Sequence, residues 1–228
     1  MTINEIFYSI QGEGKLAGTP SAFVRTAGCN LRCAWCDSPR TSWEPQGESL
    51  TVDQILERLA GYPARHVVLT GGEPMIAPDI EPLTRALAGR GYHVTMETAA
   101  TAWREIVCNL ASISPKLRSS TPGTRDGGRW AAMHERNRTN IEVIRRFMTC
   151  PDYQLKFVVD RPEDLAEIDA LIARIGGVEP SSVLLMPQGV TSEELSQRAR
   201  WIVEMCKERG FRYCPRLHID LYGDVRGK

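Results

Sequence analysis

Short apolar runs alternate with amphipathic stretches of helical period along the chain, and this alternation constrains the fold more than any other feature. Runs rich in β-branched and aromatic residues read as strands over 3–9, 22–26, 66–70, 93–97, 112–114, 154–159, 183–186 and 212–217. Helix signals fall between several of them. Thr51-Val52-Asp53-Gln54 reads as a capping box opening a helix that buries Ile55, Leu56 and Leu59 and stops near Gly61. A helix is predicted near 79–87, and Pro162 suits the first position of one carrying Leu165, Ile168, Leu171, Ile172 and Ile175 on one stripe. Thr191-Ser192-Glu193-Glu194 opens another that ends before Gly210. Strand–helix–strand succession predicts an α/β fold with a mainly parallel sheet. A chain of 228 residues suits one domain, 1–228.

Cys29, Cys33 and Cys36 lie within eight residues, in Gly28-Cys29-Asn30-Leu31-Arg32-Cys33-Ala34-Trp35-Cys36-Asp37. Buried free cysteines behave as small hydrophobes, but packing gives no reason for this spacing in a stretch that also holds Gly, Asn, Arg and Asp. Three thiolates can hold three irons of a four-iron, four-sulfur cluster and leave the fourth iron open. A structural zinc site closes with four ligands and would recruit one of Cys108, Cys150, Cys206, Cys214 or a histidine. Both readings stand at this point. The four scattered cysteines read as structural. His66, His93 and His134 read as element boundaries or surface positions.

A second motif, Thr70-Gly71-Gly72-Glu73-Pro74, follows Val67-Val68-Leu69 directly. Two glycines at a strand end let the backbone bend and approach a ligand with no Cβ in the way. C-terminal strand ends are where α/β folds place ligands, and Glu73 offers an acceptor for an ammonium group. The stretch 118–129 holds too few apolar residues for an element and reads as a solvated loop.

Lys+Arg and Asp+Glu both total 28, so no charge excess points to nucleic acid or an anionic membrane. The first residues lack the pattern of a secretory signal, and no apolar run is long enough to span a bilayer. The expected setting is the cytoplasm, where cysteines serve metals or chemistry more than disulfides.

The cysteine run, with an aromatic before its last Cys and a later Gly-Gly-Glu-Pro, resembles the radical S-adenosylmethionine (SAM) enzymes. Further segments narrow the resemblance to the 7-carboxy-7-deazaguanine synthase family: 5–14 with Gln11-Gly12-Glu13-Gly14, 23–29, Cys36-Asp37-Ser38, Glu97-Thr98, Ser114-Pro115-Lys116, 155–159 and 217–227. A rival within the superfamily, such as a glycyl-radical activating enzyme, has no need of the Gln-Gly-Glu-Gly segment or Arg25. The resemblance implies an incomplete, modified (β/α) barrel that contracts 6-carboxy-5,6,7,8-tetrahydropterin to 7-carboxy-7-deazaguanine with loss of ammonia, toward queuosine and other 7-deazapurines. It implies a 4Fe-4S cluster, SAM and Mg²⁺, an electron donor such as a flavodoxin or ferredoxin, and a homodimer.

By the same resemblance, Cys29, Cys33 and Cys36 hold the cluster and Ser38 reaches Mg²⁺. Trp35, Asp37, Gly72, Glu73, Thr98, Ser114, Lys116, Met186 and Gln188 border SAM. Ile10, Gln11, Gly12, Glu13, Arg25, Thr70, Glu97 and His218 border the pterin, whose amide and exocyclic amine pair with carboxylate and amide side chains. Arg25 suits the substrate carboxylate as a two-pronged donor.

Overall fold

The computed structural model describes residues 1–228. Its strands are β1 (Thr2–Ile10), β2 (Pro20–Thr26), β3 (Glu48–Ser49), β4 (His66–Gly71), β5 (His93–Thr98), β6 (Leu110–Ile113), β7 (Asp152–Val159), β8 (Val183–Pro187) and β9 (Arg212–Tyr213). They form one sheet in the order β3-β1-β2-β4-β5-β6-β7-β8-β9. β1 runs antiparallel to β2 and β3, and every neighbouring pair from β2 to β9 is parallel. Because β3 and β9 stand at opposite edges, the sheet stays open, as an incomplete, modified (β/α) barrel requires.

The helices are α1 (Pro39–Ser42), α2 (Val52–Ala60), α3 (Ile80–Gly89), α4 (Ala131–Asn137), α5 (Ile141–Phe147), α6 (Asp164–Ile175), α7 (Ser192–Arg209) and α8 (Leu217–Tyr222). Both capping boxes form. Thr51 Oγ1 accepts from Gln54 N at 3.3 Å while Gln54 Oε1 accepts from Thr51 N at 2.9 Å, and Thr191 pairs with Glu194 in the same way. Gly210, at φ +69°, ends α7 in the left-handed conformation that glycine adopts without strain.

Alternation along the strands decides which residues meet helices and which meet the site. Ala22 and Val24, Val67 and Leu69, Val94 and Met96, and Leu155, Phe157 and Val159 join the main apolar core. The intervening residues, among them Phe23, Arg25, Val68, Thr70, Glu97, Lys156 and Val158, line one cavity on the opposite face. One polar side chain in the middle of an apolar strand is therefore aimed at the site.

Several expectations need correction. The last strand stops at Tyr213 and Leu217 opens α8, since Pro215 has no N–H to extend a ladder. The strand expected over 112–114 runs Leu110–Ile113. Helix α6 begins at Asp164, after a turn in which the Asp164 carboxylate accepts from Asp160 N and Arg161 N. The stretch 118–129 is not simply a solvated loop, because Ser120 is fully buried and its carbonyl accepts from Ala34 N at 2.8 Å. His134 is no surface residue: it is fully buried in α4, with Nδ1 accepting from Arg32 N and Nε2 2.9 Å from Ser120 Oγ. These two corrections share a cause, since the segment after β6 folds back to brace the cysteine loop. β3, α1, α4, α5 and α8 were not legible as separate elements.

Candidate active site

A cavity of about 550 Å³ opens at the C-terminal ends of the parallel strands. Cys29, Cys33, Trp35, Cys36, Asp37 and Ser38 reach it from the loop after β2, and Gly72 from the end of β4. Thr98, Ser114, Lys116 and Met186 reach it from the ends of β5, β6 and β8; Ile10, Gln11, Gly12 and Glu13 come from the end of β1, and Arg25, Thr70, Glu97 and His218 complete the wall. Two expected residues lie outside it, Glu73 and Gln188.

Glu73 is completely buried beneath the site. Its Oε1 accepts from Thr98 Oγ1 at 2.7 Å and Met75 N at 3.1 Å, and its Oε2 from Ala99 N at 2.9 Å. Burial pushes its carboxyl pKa up against these donors. The glycines before it serve the backbone first. A Cβ on Gly72 would lie 2.2 Å from Gly28 O, and one on Gly71 2.2 Å from Thr26 O. Strand ends β2 and β4 can touch only because both side chains are missing, which allows Glu73 N to donate to Gly28 O at 2.9 Å. Gln188 N donates to Val159 O, tying its backbone to β7.

The cysteine loop is held from several sides. Trp43 Nε1 donates to Cys33 O at 3.0 Å, Trp35 Nε1 to Ser119 O at 3.2 Å, and Cys36 Sγ lies 3.1 Å from Ser42 Oγ. All three cysteines are free and pack about Leu31 and Ala99. Burial pushes the Cys29 thiol up to about 11 and Cys33 to about 12, so each holds its proton until a metal displaces it. No three His, Cys, Asp or Glu side chains converge on a point suited to one metal ion. Three thiolates on one short loop can each take a different iron of a four-iron cluster. The donor set fits the cluster.

The remaining polar groups form a continuous network. Lys156 Nζ lies 2.6 Å from Glu13 Oε2 and 3.0 Å from Glu97 Oε2, and Glu97 Oε1 accepts from Gln11 Nε2 at 3.4 Å. Arg216 Nε donates to Glu13 Oε1 at 3.0 Å, Nη2 to Asp37 Oδ2 at 2.7 Å, and Nη1 to Gly189 O at 2.6 Å. Arg25 donates to Glu5 Oε1 at 2.8 Å and to Ser38 Oγ at 3.2 Å. Burial alone would raise the Glu13 carboxyl, but the Lys156 and Arg216 cations overcome it and hold Glu13 well below the usual carboxylate range. Burial lowers the His218 pKa against the pull of Glu13, leaving a neutral imidazole near pH 7. Gly12 makes room for that ring, since a Cβ there would fall 1.9 Å from His218 Nδ1. Lys156 and Arg216 were missed from sequence. A lysine inside the apolar run of β7 is the signal that could have found the first; Arg216, after Pro215 on a short connection, carries none.

Comparison with known proteins points the same way. A model of the radical SAM superfamily matches residues 23–117. The chain is 47% identical to the 7-carboxy-7-deazaguanine synthase of Halobacterium salinarum, over 99% of this chain and 91% of that protein. It is 44% identical to that of Rhodopirellula baltica, over 100% and 88%. The crystal structure of QueE from Escherichia coli superposes with a TM-score of 0.71 at 28% identity, covering 93% of this chain and 92% of that one. A structure of TYW1 with a lysine-pyruvate adduct shares the fold, with a TM-score of 0.57 at 14% identity, over 82% and 72% of the two chains.

Proposed function

Since the chain belongs to the 7-carboxy-7-deazaguanine synthase family of radical SAM enzymes, we propose that this cavity is where 6-carboxy-5,6,7,8-tetrahydropterin is contracted to 7-carboxy-7-deazaguanine with loss of ammonia. The observation that carries the assignment is the convergence of Cys29, Cys33 and Cys36 with Gln11, Glu13, Arg25, Glu97 and His218 on one cavity. Such a product is a precursor of queuosine-type 7-deazapurines.

With a four-iron cluster and SAM bound, the site gains radical chemistry that removes a substrate hydrogen. The chain's own residues bind and orient. Cys29, Cys33 and Cys36 hold three irons, and the backbone of Gly72 with Trp35, Asp37, Thr98, Ser114, Lys116 and Met186 borders SAM. Lys116 is the cation of this wall, its Nζ held by Ser114 O at 2.9 Å and Ser114 Oγ at 2.8 Å. Glu13 and Glu97 accept from the pterin N–H groups, and Glu13 stays ionised because Lys156 and Arg216 flank it. Arg25 takes the substrate carboxylate, with Gln11, Thr70 and His218 enclosing the ring.

Ser38 and the neighbouring Asp37 supply oxygen donors for Mg²⁺. Each already pairs with an arginine, so the site needs substrate oxygens to complete it. The reading includes a low-potential flavodoxin or ferredoxin as electron donor, a single radical SAM domain over 1–228 and a homodimer. No helix is long and apolar enough to cross a membrane.

Anaerobic incubation of the reconstituted protein with SAM, a reductant, Mg²⁺ and the carboxylated tetrahydropterin, followed by mass analysis, tests the assignment. The deazapurine product is expected. An intact cluster that cleaves SAM without forming it would sink the substrate assignment.

A further inference from the structure

Lys156 sits in the middle of β7 with its side chain 5% exposed, between two carboxylates that come from β5 and from the loop after β1. An ammonium group has three donors. Two are used, one on Glu13 at 2.6 Å and one on Glu97 at 3.0 Å, and the residue lines the cavity. Several other donors of the wall are held within the protein, while Arg25 keeps Nη2 for the substrate carboxylate. Arg216 spends Nε, Nη1 and Nη2 on Glu13, Gly189 and Asp37, and Arg25 is turned to Glu5 and Ser38. Gln11 bridges Glu97 and Glu13 N. Lys156 is thus a buried cation with a donor to spare beside two acceptors.

That donor beside an acceptor is the complement of a lactam edge, in which a carbonyl oxygen lies next to an N–H. The pterin ring presents this edge as its 4-oxo group and N3–H. We infer that Lys156 determines specificity for the 4-oxo ring by donating its third proton to the carbonyl oxygen while Glu97 or Glu13 accepts from N3–H. This rests on the substrate reading given above. A charged donor left facing a poor acceptor in a buried site costs binding, so a ring without the carbonyl is rejected. Lysine suits the role because its compact charge satisfies both glutamates and the ligand at once.

The test is equilibrium titration of the reconstituted protein with SAM and without reductant, followed by pterin fluorescence. The ligands are 6-carboxypterin and its 4-thioxo analogue, which keeps N3–H and replaces the oxygen acceptor by a larger, weaker sulfur. The native protein is expected to bind the thioxo compound roughly tenfold more weakly, and Lys156→Met to bind both within about twofold of each other. Equal binding of the two by the native protein, a comparison that needs no variant to fold, overturns the inference. So does discrimination that survives in Lys156→Met. If the native protein binds neither ring and forms no deazapurine, the substrate reading itself fails and takes the inference with it; normal turnover with equal ring binding overturns the role of Lys156 alone.

Discussion

Glu13 and Lys156 are 143 positions apart in the chain and 2.6 Å apart in the cavity. Their contact joins the segment after β1 to the middle of β7, closing the site across four intervening strands of the sheet. Both side chains are largely removed from water, so neither charge is tolerable without the other. The pair therefore fixes a permanent anion where a cationic or N–H-rich ring edge has to be read.

Glu13→Gln is expected to weaken substrate binding by roughly 10- to 100-fold, the usual effect of losing a charged hydrogen-bond partner. Iron content and SAM cleavage without substrate should stay at native levels, because Glu13 touches no cysteine. Pterin titration and iron assay on the same preparation check both. Since Lys156 and Arg216 hold the Glu13 carboxyl far down, its ionisation is complete well below neutral pH. Loss of substrate affinity should set in only under strongly acid conditions, as pH falls toward that depressed value.

Two glycine substitutions separate backbone demands from side-chain demands. A Cβ on Gly72 meets Gly28 O at 2.2 Å and Thr41 O at 2.7 Å, both backbone atoms that hold the cysteine loop. Gly72→Ala should lower stability by about 2–4 kcal/mol and abolish cluster retention, read by urea unfolding and iron assay. The atoms nearest a Cβ on Gly12 are all of the His218 side chain. Gly12→Ala should keep its iron and lose substrate affinity as that ring is displaced.

What could be read from the chain, and what could not, divides along sequence distance. Period-two alternation and capping boxes are local, so the parallel strands and helices α2 and α7 were legible to within a few residues. The cysteines and the Gln-Gly-Glu-Gly segment were legible because motif residues are close together. Lys156 was passed over as one residue of an apolar strand, although an ammonium at the centre of a parallel sheet has to face a partner. His134 and Ser120 were misplaced because their burial depends on the fold-back onto the loop at Arg32, a contact across 102 positions. Nothing in Gly-Gly-Glu-Pro announces that Thr98 and Ala99 also donate to the Glu73 carboxylate.

His66 makes stability depend on pH. Its Nδ1 lies 2.7 Å from Ser21 Oγ and its Nε2 2.7 Å from Thr95 Oγ1, and burial, with His93 close by, lowers its pKa to about 4. His134 is lowered to about 4 by burial as well. The unfolded chain takes up these protons near pH 6.5 and the folded one only near pH 4, so stability falls as pH drops through that window and is complete above it. Between pH 7 and pH 5 the loss should be about 1 kcal/mol for each histidine. Urea midpoints at the two pH values check this, and His66→Gln should flatten the dependence.

Glu73→Gln decides between a ligand role and a supporting one. The carboxylate receives Thr98 Oγ1, Met75 N and Ala99 N, all donors, and the single proton of Thr101 Oγ1 is shared between Glu73 Oε2 at 3.4 Å and Asn30 Oδ1 of the cysteine loop at 2.9 Å. A glutamine amide would turn an NH₂ toward one pair of these donors and leave one buried backbone N–H, that of Met75 or Ala99, without an acceptor. The variant should lose about 2–3 kcal/mol of stability in cluster-free protein, where no SAM is present to bind. Thr98→Val removes one of the same donors and should couple to Glu73→Gln, the double variant losing less than the sum of the two. Native stability in Glu73→Gln, accompanied by weakened SAM binding, would instead show that this carboxylate reaches the cofactor and that the four donors are secondary.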